Sequence, residues 1–254
     1  MRPGARTAWV VLLITAAIAT ALVVLPARWV MAWIPESSPV IVTNASGTLW
    51  AATATLAVGA NGLRRTLPDP VRWRFSFDGW PGVTLTHPWL RGPLNLTLSW
   101  RGLGVSAQSL QLPASVLTTA HALFNTLDPG GEVFLAWPDL TVLRSVTATK
   151  GGQLLTAQWR NASSSLTRVQ PMGNYTLLLS GADNNSITLL LKTDQGPLQM
   201  EGSGIVSPSG RVKFDGKAWA IASAPRDTRT GLQNLLSVMG PPSGQDGAIL
   251  LQIR

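Results

Sequence analysis

In Val71-Arg72-Trp73-Arg74-Phe75-Ser76-Phe77, apolar and polar side chains alternate residue by residue. Successive residues of a β-strand point to opposite faces of a sheet. The four apolar side chains of this stretch would therefore lie on one face and the two arginines on the other. The pattern predicts a half-buried strand.

Similar stretches recur along the chain, separated by turn signals such as Asp183-Asn184-Asn185 and Ser207-Pro208-Ser209-Gly210. They are residues 48–58, 93–100, 105–112, 132–137, 154–159, 175–179, 187–192, 198–206, 211–221 and 248–253. Eighteen prolines and 24 glycines also favour many short strands over long helices. We expect a mainly β protein built on a twisted, largely antiparallel β-sheet.

Two segments depart from this alternation and predict short α-helices that cover the sheet. Residues 114–127 and 227–239 repeat apolar side chains at helical spacing and end at proline and glycine. Each segment follows strands that open with Gly-Pro-Leu and precedes a further strand. These matching contexts predict a degenerate internal repeat, with halves at residues 47–137 and 131–254, each group of strands covered by its own helix.

The N-terminal segment has a different character. Residues 7–27 contain no charged side chain, and as a helix they would be about 31 Å long, close to the hydrocarbon thickness of a bilayer. Because more basic residues precede the segment than closely follow it, we expect a single-pass inner-membrane anchor with a cytoplasmic N-terminus. The residues expected to hold this anchor at the two membrane interfaces are Arg2, Arg6, Trp9, Trp29 and Trp33.

A cleaved signal peptide is the competing interpretation, with Val30-Met31-Ala32 as the cleavage site. The uncharged run is longer than the apolar region of about 7–15 residues that such peptides carry, and Arg28 interrupts the approach to the site. The uncleaved anchor is therefore favoured. It divides the chain into residues 1–34, the cytoplasmic N-terminus and anchor, and residues 35–254, a periplasmic β-rich domain.

Residues suited to catalysis are scarce in this sequence. There is no cysteine, and neither His87 nor His121 has a carboxylate or a second histidine at ligand spacing. The 12 acidic residues form no pair at helix or strand spacing. We therefore predict that the protein is not an enzyme and binds no metal, cofactor or small-molecule substrate. The 20 basic residues form no stripe, so nucleic acid is not an expected partner.

Tryptophan is unusually abundant, with 11 residues in the chain. Those in or near predicted strands either fill a thin sheet core or lie on a surface where they anchor a partner protein. They are Trp50, Trp73, Trp80, Trp89, Trp100, Trp137, Trp159 and Trp219.

Several short motifs follow the N-terminal anchor in a specific order. They are Gly47-Thr48-Leu49-Trp50-Ala51-Ala52, Leu110-Gln111-Leu112-Pro113-Ala114-Ser115, Gly196-Pro197-Leu198, Phe214-Asp215-Gly216-Lys217-Ala218 and Leu232-Gln233-Asn234-Leu235-Leu236. In this order they resemble the type II secretion system protein N family. Ala52 departs from the pattern, since a glycine is expected there.

The resemblance implies an accessory inner-membrane component of the type II secretion system of a Gram-negative bacterium. Such a protein would assist assembly or stability of the machine that exports folded proteins across the outer membrane. Its partners would be other proteins of that system and the inner membrane, and no catalytic residues come with the resemblance. One alternative stays open, an envelope lipid-handling or bridging β protein of the AsmA-like type, which an open apolar groove would favour.

Overall fold

The computed structural model describes residues 3–29, 34–35, 38, 40–59, 64–77, 79–119, 122–143, 145–146, 151–240 and 247–253 of the 254-residue chain. The expectation of a mainly β, antiparallel fold is confirmed, because the described strands form two sheets whose paired strands all run antiparallel. The strands form two sheets, where the sequence predicted one.

The first sheet has the strand order β1-β2-β4-β5-β6-β7-β10-β11, with β3 beside β2. Its strands are β1 (Val40–Thr48), β2 (Ala51–Val58), β3 (Arg65–Thr66), β4 (Val71–Ser76), β5 (Gly82–Thr86), β6 (Leu94–Ser99), β7 (Gly102–Val105), β10 (Leu140–Leu143) and β11 (Ser145–Val146).

The second sheet has the order β17-β16-β15-β14-β13-β12-β9-β8. Its strands are β8 (Gln108–Pro113), β9 (Pro129–Trp137), β12 (Gln153–Ser164), β13 (Gly173–Gly181), β14 (Ile187–Gln195), β15 (Leu198–Val206), β16 (Val212–Ala220) and β17 (Ile249–Ile253).

The helices are few and mostly short. They are α1 (Pro3–Val23), a 3-10 helix at Ala114–Thr119, α2 (Ala122–Leu127), a 3-10 turn at Asp183–Asn185 and α3 (Arg226–Met239). The predicted helix at 227–239 is α3, whereas the one at 114–127 is divided into a 3-10 helix and α2. Both pack on the second sheet, the first of them against β8 and β9.

The main hydrophobic core lies between α3 and the second sheet. Leu232, Leu235 and Leu236 fall on one face of α3 because they are spaced three and four residues apart. They pack against strand residues of β13, β15, β16 and β17, including Tyr175, Leu198, Met200, Ala218 and Ile249. A smaller cluster joins Leu112 and Val133 to Ala114, the first residue of the 3-10 helix.

The two sheets are joined at the outer edge of β8. The segment between β5 and β6 pairs with this edge, since the Arg91 amide donates to the Ser109 carbonyl and the Gln111 amide donates to the Trp89 carbonyl. Strand β8 thus lies in the second sheet although it belongs to the first predicted half, and β9 lies largely where the two predicted halves overlap. The halves at 47–137 and 131–254 do not coincide with the sheets, and the internal repeat stays a prediction.

Helix α1 ends at Val23, so the expectation that residues 24–27 continue it is wrong. Pro26 has no amide hydrogen and disfavours helical conformation in Leu25, which explains the end of the helix. The next residues bond to the β1–β2 hairpin: the Leu49 amide donates to the Leu25 carbonyl, at 2.7 Å, and the Ala27 amide to the Gly47 carbonyl.

Within the described part of the chain, no helix combines the length and the apolar character that crossing a membrane requires. The transmembrane anchor therefore stays a prediction.

Candidate interaction surfaces

The residues predicted to hold an anchor at the membrane interfaces are only partly described. Trp9 is exposed on α1, and Trp29 is exposed just beyond the segment that bonds to the β1–β2 hairpin. Arg6 lies in the first turns of α1. Arg2, Trp33 and the alternative cleavage site at residues 30–32 lie outside the described residues.

The surroundings of His87 are those of a structural residue in a turn. Its Nδ1 atom accepts a hydrogen bond from the Trp89 amide, which leaves Nε2 to donate to the Asp69 carbonyl, both at 3.1 Å. His121 lies outside the described residues. Among the described residues, no three metal-ligating side chains are grouped.

One face of the first sheet is a continuous apolar surface, which we call the apolar face. Residues opposite each other in antiparallel strands share a face, so Phe75, Val83, Leu96 and Val105 form one row across four strands. Beside it runs a second row, Trp73, Leu85 and Leu94. The residues of both rows are only half-buried. Part of the apolar surface of each of these side chains therefore stays in contact with solvent.

The opposite face of the first sheet is polar and holds an open cavity of about 680 Å³. Arg72 and Arg74 contribute to its lining, together with the hydroxyls of Thr53, Thr84 and Thr86. A lipid-handling protein requires a groove lined by apolar side chains. The lining of this cavity is mixed, because Ala51, Ala52 and Trp73 contribute to it beside the polar groups. It is not a groove lined by apolar side chains, so it does not favour the lipid-handling alternative.

Four tryptophans use their indole N–H groups to tie separate elements together. Each donates to a backbone carbonyl at 2.7–3.1 Å, as is usual for half-buried tryptophan. The pairs are Trp50 with Leu22, Trp73 with Leu49, Trp137 with Ser106 and Trp159 with Gly130. Of these four, Trp159 packs against both buried clusters, in agreement with its interpretation as a core residue.

Two other tryptophans are exposed on hairpin turns. They belong to a group of large apolar side chains at one end of the first sheet, which we call the aromatic patch: Phe77 (63% exposed), Trp80 (54%), Leu98 (58%) and Trp100 (75%). The guanidinium of Arg101 lies over the Trp100 ring, 4.8 Å from its centroid. Sequence reasoning did not locate this patch. The sequence feature that could have located the patch is the presence of aromatic residues in the turns that follow β4 and β6.

Comparison with known proteins agrees with the predicted resemblance. The family described as "Type II secretion system (T2SS), protein N" matches residues 38–251, which span both sheets. The chain is 26% identical to the "Type II secretion system protein N" of Klebsiella pneumoniae over 219 residues, covering 80% of this chain and 78% of that protein. No solved structure matches. The chain belongs to the type II secretion system protein N family.

Proposed function

We propose that this protein is an accessory, non-enzymatic component of the type II secretion system, held in the inner membrane, where it assists assembly or stability of the machine. The proposal rests on family membership together with one structural observation. That observation is the apolar face of the first sheet, which no described helix covers and whose large side chains are only half-buried.

A half-buried apolar sheet face is suited to binding another protein. Contiguous apolar side chains that stay partly exposed mark sites of protein or membrane contact. Burying the exposed part of the two rows against a partner would stabilise the complex by about 25 cal/mol for each Å² of apolar surface removed from water. The proposed occupant is another protein of the secretion system.

The inner-membrane location is supported by the surroundings of α1. Its large apolar side chains are exposed from Trp9 to Val23, and the hydroxyls of Thr15 and Thr20 donate to carbonyls four residues earlier in the helix. Internal satisfaction of polar groups is what a lipid environment requires. We infer that residues 1–34 form the cytoplasmic N-terminus and anchor and that residues 35–254 form the periplasmic domain.

Complementation of a deletion strain tests the role of the apolar face. Deletion of the gene should retain folded exoproteins in the periplasm, and wild-type protein should restore their release. Leu96→Asp places a charge on the apolar face and should lower secretion, because a buried carboxylate opposes partner binding. Asn95→Asp is the matched control, since Asn95 is the preceding residue and lies on the polar face.

Secretion is read together with protein level, circular dichroism of the purified variants and copurification of the other secretion proteins. The proposal requires Leu96→Asp to be folded and present but to lose copurifying secretion proteins. Normal secretion in the deletion strain, or equal effects of the two substitutions, would contradict it. Membrane attachment is tested separately by extraction at alkaline pH, which an integral anchor resists.

A further inference from the structure

We propose that the aromatic patch binds the surface of the inner membrane, so that one end of the first sheet rests on an anionic phospholipid bilayer beside α1. This rests on the proposed function only in its membrane anchor, and not in its protein partner. The occupant is a lipid surface, whose interfacial zone accommodates side chains with an apolar body and a polar edge.

The strand register brings the patch together at one end of the sheet. Ala51, the first residue of β2, pairs with Arg74 near the end of β4, so the β1–β2 turn and the β4–β5 turn lie at the same end. Gly82 at the start of β5 pairs with Thr97 near the end of β6, which brings the β6–β7 turn to that end as well. The Leu98 amide also donates to the Pro81 carbonyl, at 2.8 Å, and joins the last two turns.

Helix α1 is attached to this same end. The indole N–H of Trp50, in the β1–β2 turn, donates to the carbonyl of Leu22 in the last turn of α1, at 2.7 Å. The Trp50 ring also contacts the Phe77 ring, with 5.7 Å between their centroids. One tryptophan therefore joins the end of the proposed anchor to the patch. If α1 is in the bilayer, these contacts hold the patch at the level where the helix leaves it.

Arg101 supplies a positive charge at the patch, which suits an anionic lipid surface. Its guanidinium lies over the Trp100 ring. Arginine next to tryptophan is typical of membrane interfaces, where the apolar stem stays in the lipid boundary and the guanidinium reaches the phosphates.

The absence of cysteine from the sequence allows a single labelled position to test this. Leu98→Cys places a nitrobenzoxadiazole fluorophore within the patch, and Thr86→Cys places it at the opposite end of β5 as the matched control. The full chain is reconstituted into vesicles of phosphatidylethanolamine and phosphatidylglycerol that contain lipids with a nitroxide on the acyl chain.

The emission of the fluorophore at position 98 should shift to shorter wavelength and be quenched roughly twofold or more, as expected at a membrane interface. The one at position 86 should not.

Trp80→Ser combined with Trp100→Ser should reduce quenching at position 98 while alkaline extraction still leaves the chain in the vesicles. An unquenched fluorophore at position 98 in a chain that resists extraction would overturn the inference and leave the anchor intact. A spectral shift without lipid quenching would mean that protein covers the patch, which also overturns it. Release of the chain at alkaline pH would contradict the anchor and this inference together.

Discussion

The two sheets of this protein share an antiparallel design but bury their apolar faces to different extents. In the second sheet, α3 covers the strands, and side chains as large as Leu198 and Leu235 are almost completely buried. In the described strands of the first sheet, the only fully buried residues are small: Ala52, Ala54, Ala57 and Gly82. The second sheet therefore has its own core, whereas the first sheet keeps large apolar residues at its surface.

This difference indicates how stability and binding are divided. The second sheet gains most of the hydrophobic stabilisation, because burial of apolar area is its main source. The first sheet relies more on its ladder of backbone hydrogen bonds and on indole groups such as that of Trp73, which bonds to the β1–β2 hairpin. The apolar side chains of the first sheet therefore contribute less to folding than those under α3, which is consistent with the proposed binding roles.

The largest expected effect comes from truncating a core side chain of α3, the helix that covers the second sheet. Leu235→Ala should lower the free energy of unfolding by about 2–5 kcal/mol, because Leu235 is 1% exposed and leaves a cavity in the core. Leu96→Ala in the first sheet should cost only about 1 kcal/mol, since Leu96 is half-buried. Denaturant unfolding of the purified full-length variants measures both values.

Equal losses of unfolding free energy for the two variants would contradict the proposed difference between the sheets, because they would mean that the first sheet is as tightly packed as the second. A further loss of stability for Leu96→Ala that is measured only when other secretion proteins are present would strengthen the comparison between the sheets. That result would assign the side chain to binding rather than to folding.

The sequence was sufficient for the elements with strong periodicity. Alternation at residues 71–77 predicted β4, and the apolar spacing of residues 227–239 predicted α3 to within one residue. Strand β1 was missed because a bulge between Val42 and Asn44 breaks its period of two. The predicted strand at 48–58 crosses a turn at Leu49 and Trp50, which Gly47 permits with a φ of +102°, a region that favours glycine.

The partition into two sheets and the position of the binding surfaces could not be predicted in the same way. Alternation assigns a side chain to a face but does not identify the strand or helix that covers that face. The sequence places Trp80 and Trp100 in or near strands, whereas the strand register brings their turns to the same end of the sheet and the Trp50 contacts bring that end to α1.

The second sheet also contains the only tyrosine of the chain, Tyr175, whose hydroxyl donates to the Leu198 carbonyl. Burial raises the pKa of Tyr175 above its ordinary value of 10.0, because the phenolate would be poorly solvated in the core. The folded protein therefore keeps this proton at pH values where the unfolded chain loses it. The Tyr175 contribution is fully present below pH 10 and should fall above it by about 1.4 kcal/mol per pH unit.

Comparison of Tyr175→Phe with wild type isolates this effect, since lysines titrate in both proteins. The wild type should lose stability more steeply above pH 10, and its phenolate absorbance should rise only on unfolding. A normal phenolate titration in the folded protein would show that the core under α3 admits water. That finding would weaken the distinction between the two sheets.

The smallest expected effect concerns the indole hydrogen bonds in the two sheets. Trp73→Phe removes the bond to the Leu49 carbonyl in the first sheet, and Trp159→Phe removes the bond to the Gly130 carbonyl in the second. Each lost bond should cost about 1 kcal/mol. Trp159 also packs against both buried clusters, so its substitution should cost more than that of Trp73.

Hydrogen exchange then distinguishes the two substitutions. Trp73→Phe should speed exchange around the β1–β2 hairpin while leaving β13 protected. Loss of protection in both sheets would mean that they unfold as one unit, and the first sheet could then not respond to a partner independently.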